Sequence, residues 1–524
     1  MAKNIKYPQD PLQEILGKNA AIFPEKVALF CGEREITYAQ LASRSNQFAN
    51  TLVRLGIKKG DRVAIFLPNI SQFIIAYFGI LKAGAVVTAI SPLYREREVQ
   101  YQLNDSEAQT IVALDSLYPI ISAIKQKTKL QNVILTSLNE ESEKPNIPNK
   151  PNVWTFQQLL KEAAETPLKV EINPQEDLAG LQYTGGTTGT AKGAMLTHAN
   201  LFSNAIAFAA WIKGTIARET FLVALPLFHI YGMTTSMTVP ISLAATMVLM
   251  PRFELANVLK AIQKHRVTVF CGVPTMYSAL LASPEISKYD LTSIRVCISG
   301  ASALSPQIQK KFMKVTSGFL AEGYGLTEAS PVTHCNPVDS TMKTVKVGSI
   351  GLPLPDTEAK IVDLITGEKT LLQGETGELA VKGPQVMKGY WHKPDETAMV
   401  LHDGWLLTGD IAHMDEDGYF YVTDRKKDLI KYKDYSIYPR ELEDVLYEHP
   451  AVKLCAVVGK PDQLTGEVPK AFIVLKEGTV VSAEEIMSYA NNKVSPYKAI
   501  HEVEFRKELP ISSAGKVLRR LLQD

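Results

Sequence analysis

Short apolar segments alternate with amphipathic ones through the first four hundred residues of the chain. The segments RVAIFLPN (62–69) and AVVTAIS (85–91) are largely apolar and predict buried strands. Between them, SQFIIAYFGILKAG has a helical pattern, and we expect Ser71 to cap its start and Gly84 to close its end. Together these pieces predict a βαβ unit.

The same alternation recurs further along the chain. Helices are predicted over 254–266 and from Pro274 onward. The strands predicted around them lie at 222–227, 246–250, 267–273 and 294–300. Because apolar strands separated by helices form parallel sheets covered on both faces, the pattern predicts an α/β fold. We expect a large N-terminal domain of parallel or mixed sheets flanked by helices.

The last hundred residues follow a different pattern. A short helix is predicted with Leu442, Val445 and Leu446 on one face, and two strands follow near 453–458 and 470–476. This order predicts a small α+β domain at the C-terminal end.

Length and charge agree with this division and exclude one class of protein. The 524 residues suggest about two to four domains, and the charge-dense segment at 424–428 marks the predicted boundary. Lys and Arg (56) nearly balance Asp and Glu (55), so the net charge is +1. Such a balance argues against a nucleic-acid-binding protein.

The cysteines predict no structural cross-link. Five are scattered along the chain without a C-x-x-C pattern, which indicates neither a disulfide framework nor a zinc site. They are Cys31, Cys271, Cys297, Cys335 and Cys455. Reduced thiols in a cytoplasmic protein are therefore expected, and the N-terminal residues lack the apolar stretch of a signal peptide.

Residues 221–250 carry no formal charge and are numerous enough to span a membrane. Pro226, Gly232 and Pro240 break this segment into shorter apolar pieces. A buried strand, loop and helix are therefore predicted, with a transmembrane helix as the alternative.

The segment YTGGTTGTAKGAMLTHAN (183–200) follows a predicted strand at 178–183. Its glycines allow backbone N–H groups to point at an anion, and Lys192 adds a positive charge. It is not a P-loop, because Ala191 precedes the lysine and Gly193 follows it, so the hydroxyl that binds Mg²⁺ is missing. From the residues alone, a phosphate-binding loop and a flexible surface turn both remain open.

The loop resembles the phosphate-loop signature of the adenylate-forming acyl-CoA synthetases, in the form typical of medium- and long-chain fatty acid–CoA ligases. Other segments resemble the same family and follow its order over most of the chain. They are SPLYREREVQYQLNDSEA (91–108), LPLFHIYGM (225–233), EGYGLTEASPVTH (322–334), GETGELAVKGPQVMKGYW (374–391), WLLTGD (405–410), DRKKDLIKYKDYSIYPRELED (424–444) and LPISSAGKVLRRLL (509–522).

This resemblance implies an ATP-dependent ligase that works in two steps. A carboxylic acid, expected to be a medium- or long-chain fatty acid, attacks the α-phosphate of ATP to give acyl-AMP and pyrophosphate. The thiol of coenzyme A then attacks the acyl carbon, and AMP leaves. Mg²⁺ is the implied cofactor, with ATP and CoA as co-substrates.

Other functions fit the same resemblance. The chain could act on an aryl or hydroxy acid, or deliver its acyl group to a carrier protein. A luciferase-like monooxygenase shares the fold, and a catalytically inactive nucleotide-binding scaffold is the alternative from another class. The expected location is cytoplasmic, without nucleic acid; peripheral membrane contact and the choice between monomer and homodimer stay open.

The resemblance implies roles for the residues that match its motifs. Tyr324 would stack on adenine, Thr327 would bond the α-phosphate and Glu328 would ligate Mg²⁺. Gly300, Ala301 and Ser302 would line the adenine pocket, with an ordinary strand-to-helix turn as the alternative. The residues implied to hold the β- and γ-phosphates are Thr184, Gly185, Gly186, Thr187, Thr188, Gly189 and Lys192.

Three further residues would act from the end of the chain. Asp410 would accept both ribose hydroxyls. Arg425 would reach the ribose or the phosphates, with a solvated boundary charge as the alternative. Lys516 would bridge the carboxylate and the α-phosphate during adenylation.

A hinge is also implied by the resemblance. The predicted domains are 1–424 and a small mobile domain over 428–524, joined by residues 425–427. Lys427 would be the pivot, with an ordinary surface charge as the alternative, so that the small domain can rotate between the two steps.

His229 is either a satisfied core histidine or, by resemblance, an aromatic gate beside the acyl site. The expected pocket walls are 229–236, 272–277 and 324–333, whose apolar residues suit a lipid-like tail without setting its length. Asp434 stands where most members of the family carry glycine. Its negative charge is expected to affect the CoA step more than adenylation.

Overall fold

The structure is a computed structural model that describes residues 5–138, 148–184, 191–316, 318–338, 344–433, 435–462, 464–512 and 517–523. These residues divide into two compact units. The first comprises Met1–Thr184, Ala191–Glu358 and Lys382–Gly404. The second comprises Ala359–Val381 and Trp405–Asp524.

The helices and strands have the following bounds. The helices are α1 Glu14–Ile22, α2 Tyr38–Arg54, α3 Ser71–Lys82, α4 Glu96–Ser106, α5 Tyr118–Ile124, α6 Phe156–Lys161, α7 His198–Trp211, α8 Ile230–Met233, α9 Val239–Ser242, α10 Leu255–His265, α11 Pro274–Ala282, α12 Pro306–Thr316, α13 Pro394–Ala398, α14 Pro439–Tyr447 and α15 Ala483–Asn491. The strands are β1 Val27–Cys31, β2 Arg34–Thr37, β3 Arg62–Phe66, β4 Val86–Ala89, β5 Thr110–Leu114, β6 Asn132–Thr136, β7 Val153–Thr155, β8 Leu178–Tyr183, β9 Gly193–Thr197, β10 Thr220–Val223, β11 Thr246–Leu249, β12 Val269–Gly272, β13 Val296–Ser299, β14 Phe319–Gly325, β15 Val332–Cys335, β16 Leu352–Pro353, β17 Glu358–Val362, β18 Gly377–Lys382, β19 Leu401–His402, β20 Trp405–Met414, β21 Phe420–Arg425, β22 Ile430–Tyr432, β23 Tyr435–Ile437, β24 Val452–Asp462, β25 Gly466–Leu475 and β26 Glu502–Phe505.

Two mixed sheets form the first unit. One has the strand order β7-β6-β5-β3-β4-β8-β9, in which all neighbours are parallel except β8 and β9. The other has the order β16-β15-β14-β13-β12-β10-β11-β1-β2, with parallel pairing from β14 to β1. The predicted α/β class is confirmed, since helices separate these apolar parallel strands as the pattern required.

The first predicted βαβ unit is β3, α3 and β4, and one of its details is wrong. Ser71 does not cap α3; it is the first helical residue, and Ile70 occupies the cap position without a side-chain hydrogen bond. The helix begins one residue earlier than predicted. Ile70, which has extended backbone angles, is the last residue before it. Gly84 closes the helix as predicted, with a φ of 74°.

The uncharged segment 221–250 folds as a strand, a loop, a helical stretch and a second strand. Strand β10 ends at Val223, earlier than predicted, and the side chain of Asn69 takes over the hydrogen bonding beyond it. The Asn69 amide donates to the carbonyls of Val223 (3.1 Å) and Leu225 (2.8 Å) and accepts from the Leu227 N–H (2.8 Å). Among the described residues no helix is both long and apolar enough to cross a bilayer, so the transmembrane alternative is not supported.

The second unit contains two smaller sheets. Strands β18, β20 and β21 pair antiparallel in the first of them. In the other, β22, β24 and β25 pair antiparallel and β26 joins β25 in parallel. Leu442 and Leu446 of α14 are fully buried in the core beside this sheet, as the apolar face predicted. The small α+β fold expected at the C-terminal end is therefore confirmed.

Candidate active site

Most of the predicted site residues of the first unit follow the carboxyl ends of parallel strands. His229 follows β10, Gly300 follows β13, and Tyr324 lies at the end of β14. Strands β13 and β14 are parallel neighbours in which Ser299 is aligned with Glu322, so the segments after Gly300 and Tyr324 lie at the same edge. Ligands of open α/β sheets bind at this edge.

Gly300 is required by close packing. A Cβ atom at this position would lie 2.9 Å from the ring of Tyr231, whose hydroxyl donates to the Ile298 carbonyl at 2.9 Å. The next residue, Ala301, has a positive φ of 69°, and Ser302 is exposed. The structure therefore gives the turn a packing role, and its predicted contact with adenine stays a prediction.

The motif EGYGLTE forms the end of β14 and the turn after it. Tyr324 is half-buried, and its ring lies edge-on to that of His334 at 6.0 Å between centroids. Thr327 and Glu328 begin a single 3-10 turn and are half-buried. The Glu328 carbonyl accepts the N–H of Met387 at 2.8 Å, which fixes this turn against a later part of the chain.

One tyrosine joins two predicted site residues. The hydroxyl of Tyr390 donates to Oε1 of Glu328 at 2.7 Å, and Nζ of Lys192 lies 5.0 Å from the centroid of its ring. Burial, followed by the negative charge of Glu328, raises the pKa of Tyr390 well above its usual range. The hydroxyl therefore stays protonated and remains a donor. Tyr390 was not predicted as a site residue, although it lies in the motif GETGELAVKGPQVMKGYW (374–391).

Hydrogen bonds fix the two ends of the glycine loop, at Thr184 and at Ala191–Lys192. The Thr184 N–H donates to the Lys192 carbonyl at 3.0 Å, continuing the antiparallel pairing of β8 with β9. From α4, the Tyr101 hydroxyl donates to the Ala191 carbonyl at 2.7 Å. The predicted loop residues Gly185, Gly186, Thr187, Thr188 and Gly189 lie outside the described residues.

Glu328 fits a magnesium ion that arrives with a nucleotide. No cluster of three His, Cys, Asp or Glu side chains that could hold a metal occurs in the described part of the chain. Mg²⁺ commonly binds through one or two carboxylates together with substrate phosphates, so a single half-buried carboxylate that shares a tyrosine contact with Lys192 is a suitable donor. This arrangement suits a metal brought by ATP better than an all-protein metal cage.

In the second unit, Asp410 and Arg425 pair with each other. They are aligned across the antiparallel strands β20 and β21, and Nε of Arg425 lies 2.9 Å from Oδ1 of Asp410. Gly409 has a φ of 72°, which lets the chain turn so that Asp410 becomes buried. Lys516 and Asp434 lie outside the described residues.

The predicted acyl-pocket segments meet inside the first unit. His229 Nδ1 accepts the N–H of Tyr231 at 3.2 Å, so the ring caps the start of α8 while remaining half-buried. The Thr234 hydroxyl donates to the Ser330 carbonyl at 2.8 Å. The structure thus gives His229 a capping role and leaves its gating role a prediction.

Comparisons with known proteins agree with this arrangement. A model of the AMP-binding enzyme family matches residues 16–391, and a model of the AMP-binding enzyme C-terminal domain matches residues 441–516. The long-chain-fatty-acid–CoA ligase of Bacillus subtilis (strain 168) is 45% identical, over 98% of this chain and 94% of that protein.

Solved structures of related enzymes have the same fold. MatB from Rhodopseudomonas palustris with ATP bound superposes with a TM-score of 0.88 at 29% identity, over 98% of both chains. The anthranilate CoA ligase AuaEII in complex with anthranoyl-AMP superposes with a TM-score of 0.87 at 30% identity, over 98% of this chain and 97% of that one. The chain therefore belongs to the AMP-binding enzymes, the adenylate-forming acyl-CoA synthetase family whose motifs it carries.

Proposed function

We propose that this chain is an ATP-dependent ligase that converts a fatty acid to acyl-AMP and then to acyl-CoA, releasing pyrophosphate and AMP. The observation that carries the proposal is the meeting of Lys192 and Glu328 on one side chain, at the base of a glycine-rich loop. A cation for phosphate and a carboxylate for magnesium are the groups that a reaction between two anions requires.

The first step brings a carboxylate oxygen to the α-phosphorus of ATP while pyrophosphate leaves. Lys192 and the N–H groups of the loop from Thr184 to Gly189 would neutralise the β- and γ-phosphates, and Thr327 would bond the α-phosphate. Glu328 would hold Mg²⁺, which would supply positive charge for the phosphates when it is bound. Lys516 would bridge the incoming carboxylate and the α-phosphate.

Further residues are proposed for recognition of the base and the ribose. Tyr324 and the segment Gly300–Ser302 would hold adenine. Asp410 has two acceptor oxygens for the two ribose hydroxyls. Its present partner Arg425, whose Nε lies 2.9 Å from Oδ1 of Asp410, would turn to the ribose or phosphates.

The second step replaces the oxygen of AMP at the acyl carbon by the sulfur of CoA. We propose that residues 425–427 are the hinge between a domain over 1–424 and a mobile domain over 428–524, with Lys427 as the pivot. Rotation would withdraw Lys516 and admit the thiol. Asp434 would bring a negative charge near CoA, so it is expected to slow this step rather than the first.

A long-chain fatty acid is the favoured substrate, in line with the ligase of Bacillus subtilis. The apolar segments around His229 and Ser330 suit such a chain. An aryl acid is the second candidate, since a structural neighbour is an anthranilate CoA ligase. The buried thiols of Cys271, Cys297 and Cys335 agree with a reducing, cytoplasmic location.

The test is pyrophosphate release across a panel of fatty, aryl and hydroxy acids, with and without CoA. The proposal predicts that pyrophosphate release with C12–C18 acids is about tenfold or more above release with aryl acids of similar solubility, and that acyl-CoA forms only when CoA is present. Turnover that prefers aryl acids would reassign the substrate, and adenylation without any thioester would favour a carrier protein as acceptor. Asp434→Gly should speed only the CoA-dependent step.

A further inference from the structure

The segment 385–391 connects two parts of the candidate site. Its backbone pairs with β9, since the Trp391 N–H donates to the Gly193 carbonyl at 2.8 Å and the Met195 N–H donates to the Gly389 carbonyl at 2.9 Å. At its other end, the Met387 N–H donates to the Glu328 carbonyl at 2.8 Å. We call the segment 385–391 the brace. It connects β9, the strand that follows Lys192, to the turn that contains Glu328.

Tyr390 is the side chain that the brace places between these two charges. It is only 8% exposed, and its N–H donates to the Thr397 hydroxyl at 2.9 Å, so its position is set by packing and by its own backbone. Its hydroxyl donates to Oε1 of Glu328, whereas Oε2 has no hydrogen-bond partner among the described residues. The Lys192 ammonium lies over the face of its ring in a cation–π contact.

We infer that Tyr390 is a positioning residue for magnesium–nucleotide binding. Its hydroxyl holds one oxygen of Glu328 so that the other is presented to the metal, and its ring holds Lys192 where the phosphates bind. This inference rests on the proposed function of Glu328 and Lys192. Without the hydroxyl, the carboxylate regains rotamer freedom and is no longer held with one oxygen toward the metal before MgATP arrives.

The hydroxyl and the ring make separable contributions. Tyr390→Phe removes the hydrogen bond to Glu328 but keeps the ring under Lys192. Hydrogen bonds to charged groups are strong enough that the Kd for MgATP should rise about tenfold. Binding of ATP in EDTA should stay within about twofold of wild type, because the metal is absent and the cation–ring contact is retained. Tyr390→Leu should weaken both.

The matched control is Tyr7→Phe. Its hydroxyl donates to Asp356 at 2.8 Å, which makes it another partly buried tyrosine–carboxylate pair of the first unit, and neither partner is a predicted site residue. Calorimetric titration of each purified full-length protein with MgATP, and with ATP in EDTA, measures binding without turnover. We expect Tyr7→Phe to leave both affinities unchanged. Equal losses of MgATP affinity in the two variants would overturn the inference.

A double-mutant cycle keeps the test decisive if Tyr390→Phe also lowers stability. Glu328→Gln should weaken MgATP binding by itself, and adding Tyr390→Phe to it should have no further effect, because the two act as one unit. A tenfold loss from Tyr390→Phe in both backgrounds would overturn the role. If the wild-type protein bound no MgATP, the proposed function itself would be wrong, which is a different outcome from equal binding by wild type and Tyr390→Phe.

Discussion

Arg519 should anchor the segment that carries the predicted catalytic lysine. Its guanidinium donates to both oxygens of Glu443, at 3.1 and 2.7 Å, and to Asp428 at 2.9 Å. Asp424 lies 3.8 Å away, and burial raises the pKa of that carboxyl to about 6. The Leu518 N–H donates to the Pro510 carbonyl at 2.8 Å and closes the segment in which Lys516 lies three residues before Arg519.

The expected cost of Arg519→Met follows from this burial. The Arg519 side chain is 21% exposed and that of Glu443 is 11% exposed, so removing the cation leaves the Glu443 carboxylate largely away from water without its charged partner. Breaking a buried pair by removing one partner costs about 3–5 kcal/mol, and the partial exposure favours the lower end, about 3 kcal/mol. Arg519→Lys should recover only part, because an ammonium cannot make the bidentate contact.

The assay combines unfolding with the two half-reactions. Calorimetry should show a lower midpoint for the second unit in Arg519→Met, and acid-dependent pyrophosphate–ATP exchange should fall more than thioester formation from supplied acyl-AMP. Arg506→Met is the control, since Arg506 pairs with Glu504 at the surface of the same unit, where ion pairs contribute little. A midpoint for Arg519→Met equal to that of the control, with both half-reactions intact, would refute the reasoning.

Three other predictions concern the half-reactions and acid stability. Lys516→Ala should abolish adenylation while largely sparing thioester formation from supplied acyl-AMP; equal loss of both half-reactions would contradict its role. Lys427→Pro should trap the enzyme in one half-reaction because proline locks φ, and unchanged full turnover would reject the hinge. His198 is buried and its Nδ1 accepts the N–H of Leu12, and burial lowers its pKa from 6.5 to about 4. The unfolded state therefore binds the proton more readily, so up to about 3 kcal/mol of stability present above pH 6.5 should be lost as the pH falls toward 4. Chemical unfolding of wild type and His198→Gln at several pH values tests this, and parallel curves would count against it.

Local pattern was enough to predict several of the helices and strands. The helix predicted from Ser71 and the strand predicted over 267–273 are present because their apolar residues are neighbours in sequence and need only the right period. The end of β10 was not predictable in this way. It is set by the side chain of Asn69, which is distant in sequence and bonds to the chain beyond Val223.

The residues of the candidate site that lie in recognisable motifs were predicted from the sequence. A residue that joins the site through contacts between distant segments was not. Glu328, Lys192 and Asp410 were identified from short motifs that resemble a known family. Tyr390 was not, because its contacts with Glu328 and Lys192 depend on how the brace at 385–391 pairs with β9. The available signal was that Tyr390 is an aromatic residue near the end of the motif at 374–391. No local rule distinguishes such a residue from one that only packs in the hydrophobic core.

The most direct measurement is the detection of the acyl-adenylate itself. Purified protein would be mixed with ATP, Mg²⁺ and a long-chain fatty acid without CoA, quenched with acid and analysed by mass spectrometry. The account predicts enzyme-bound acyl-AMP and pyrophosphate in equal amounts, with the acyl-AMP converted to acyl-CoA when CoA is added. Absence of the mixed anhydride with every acid of the panel, from protein that is folded and binds MgATP, would contradict it.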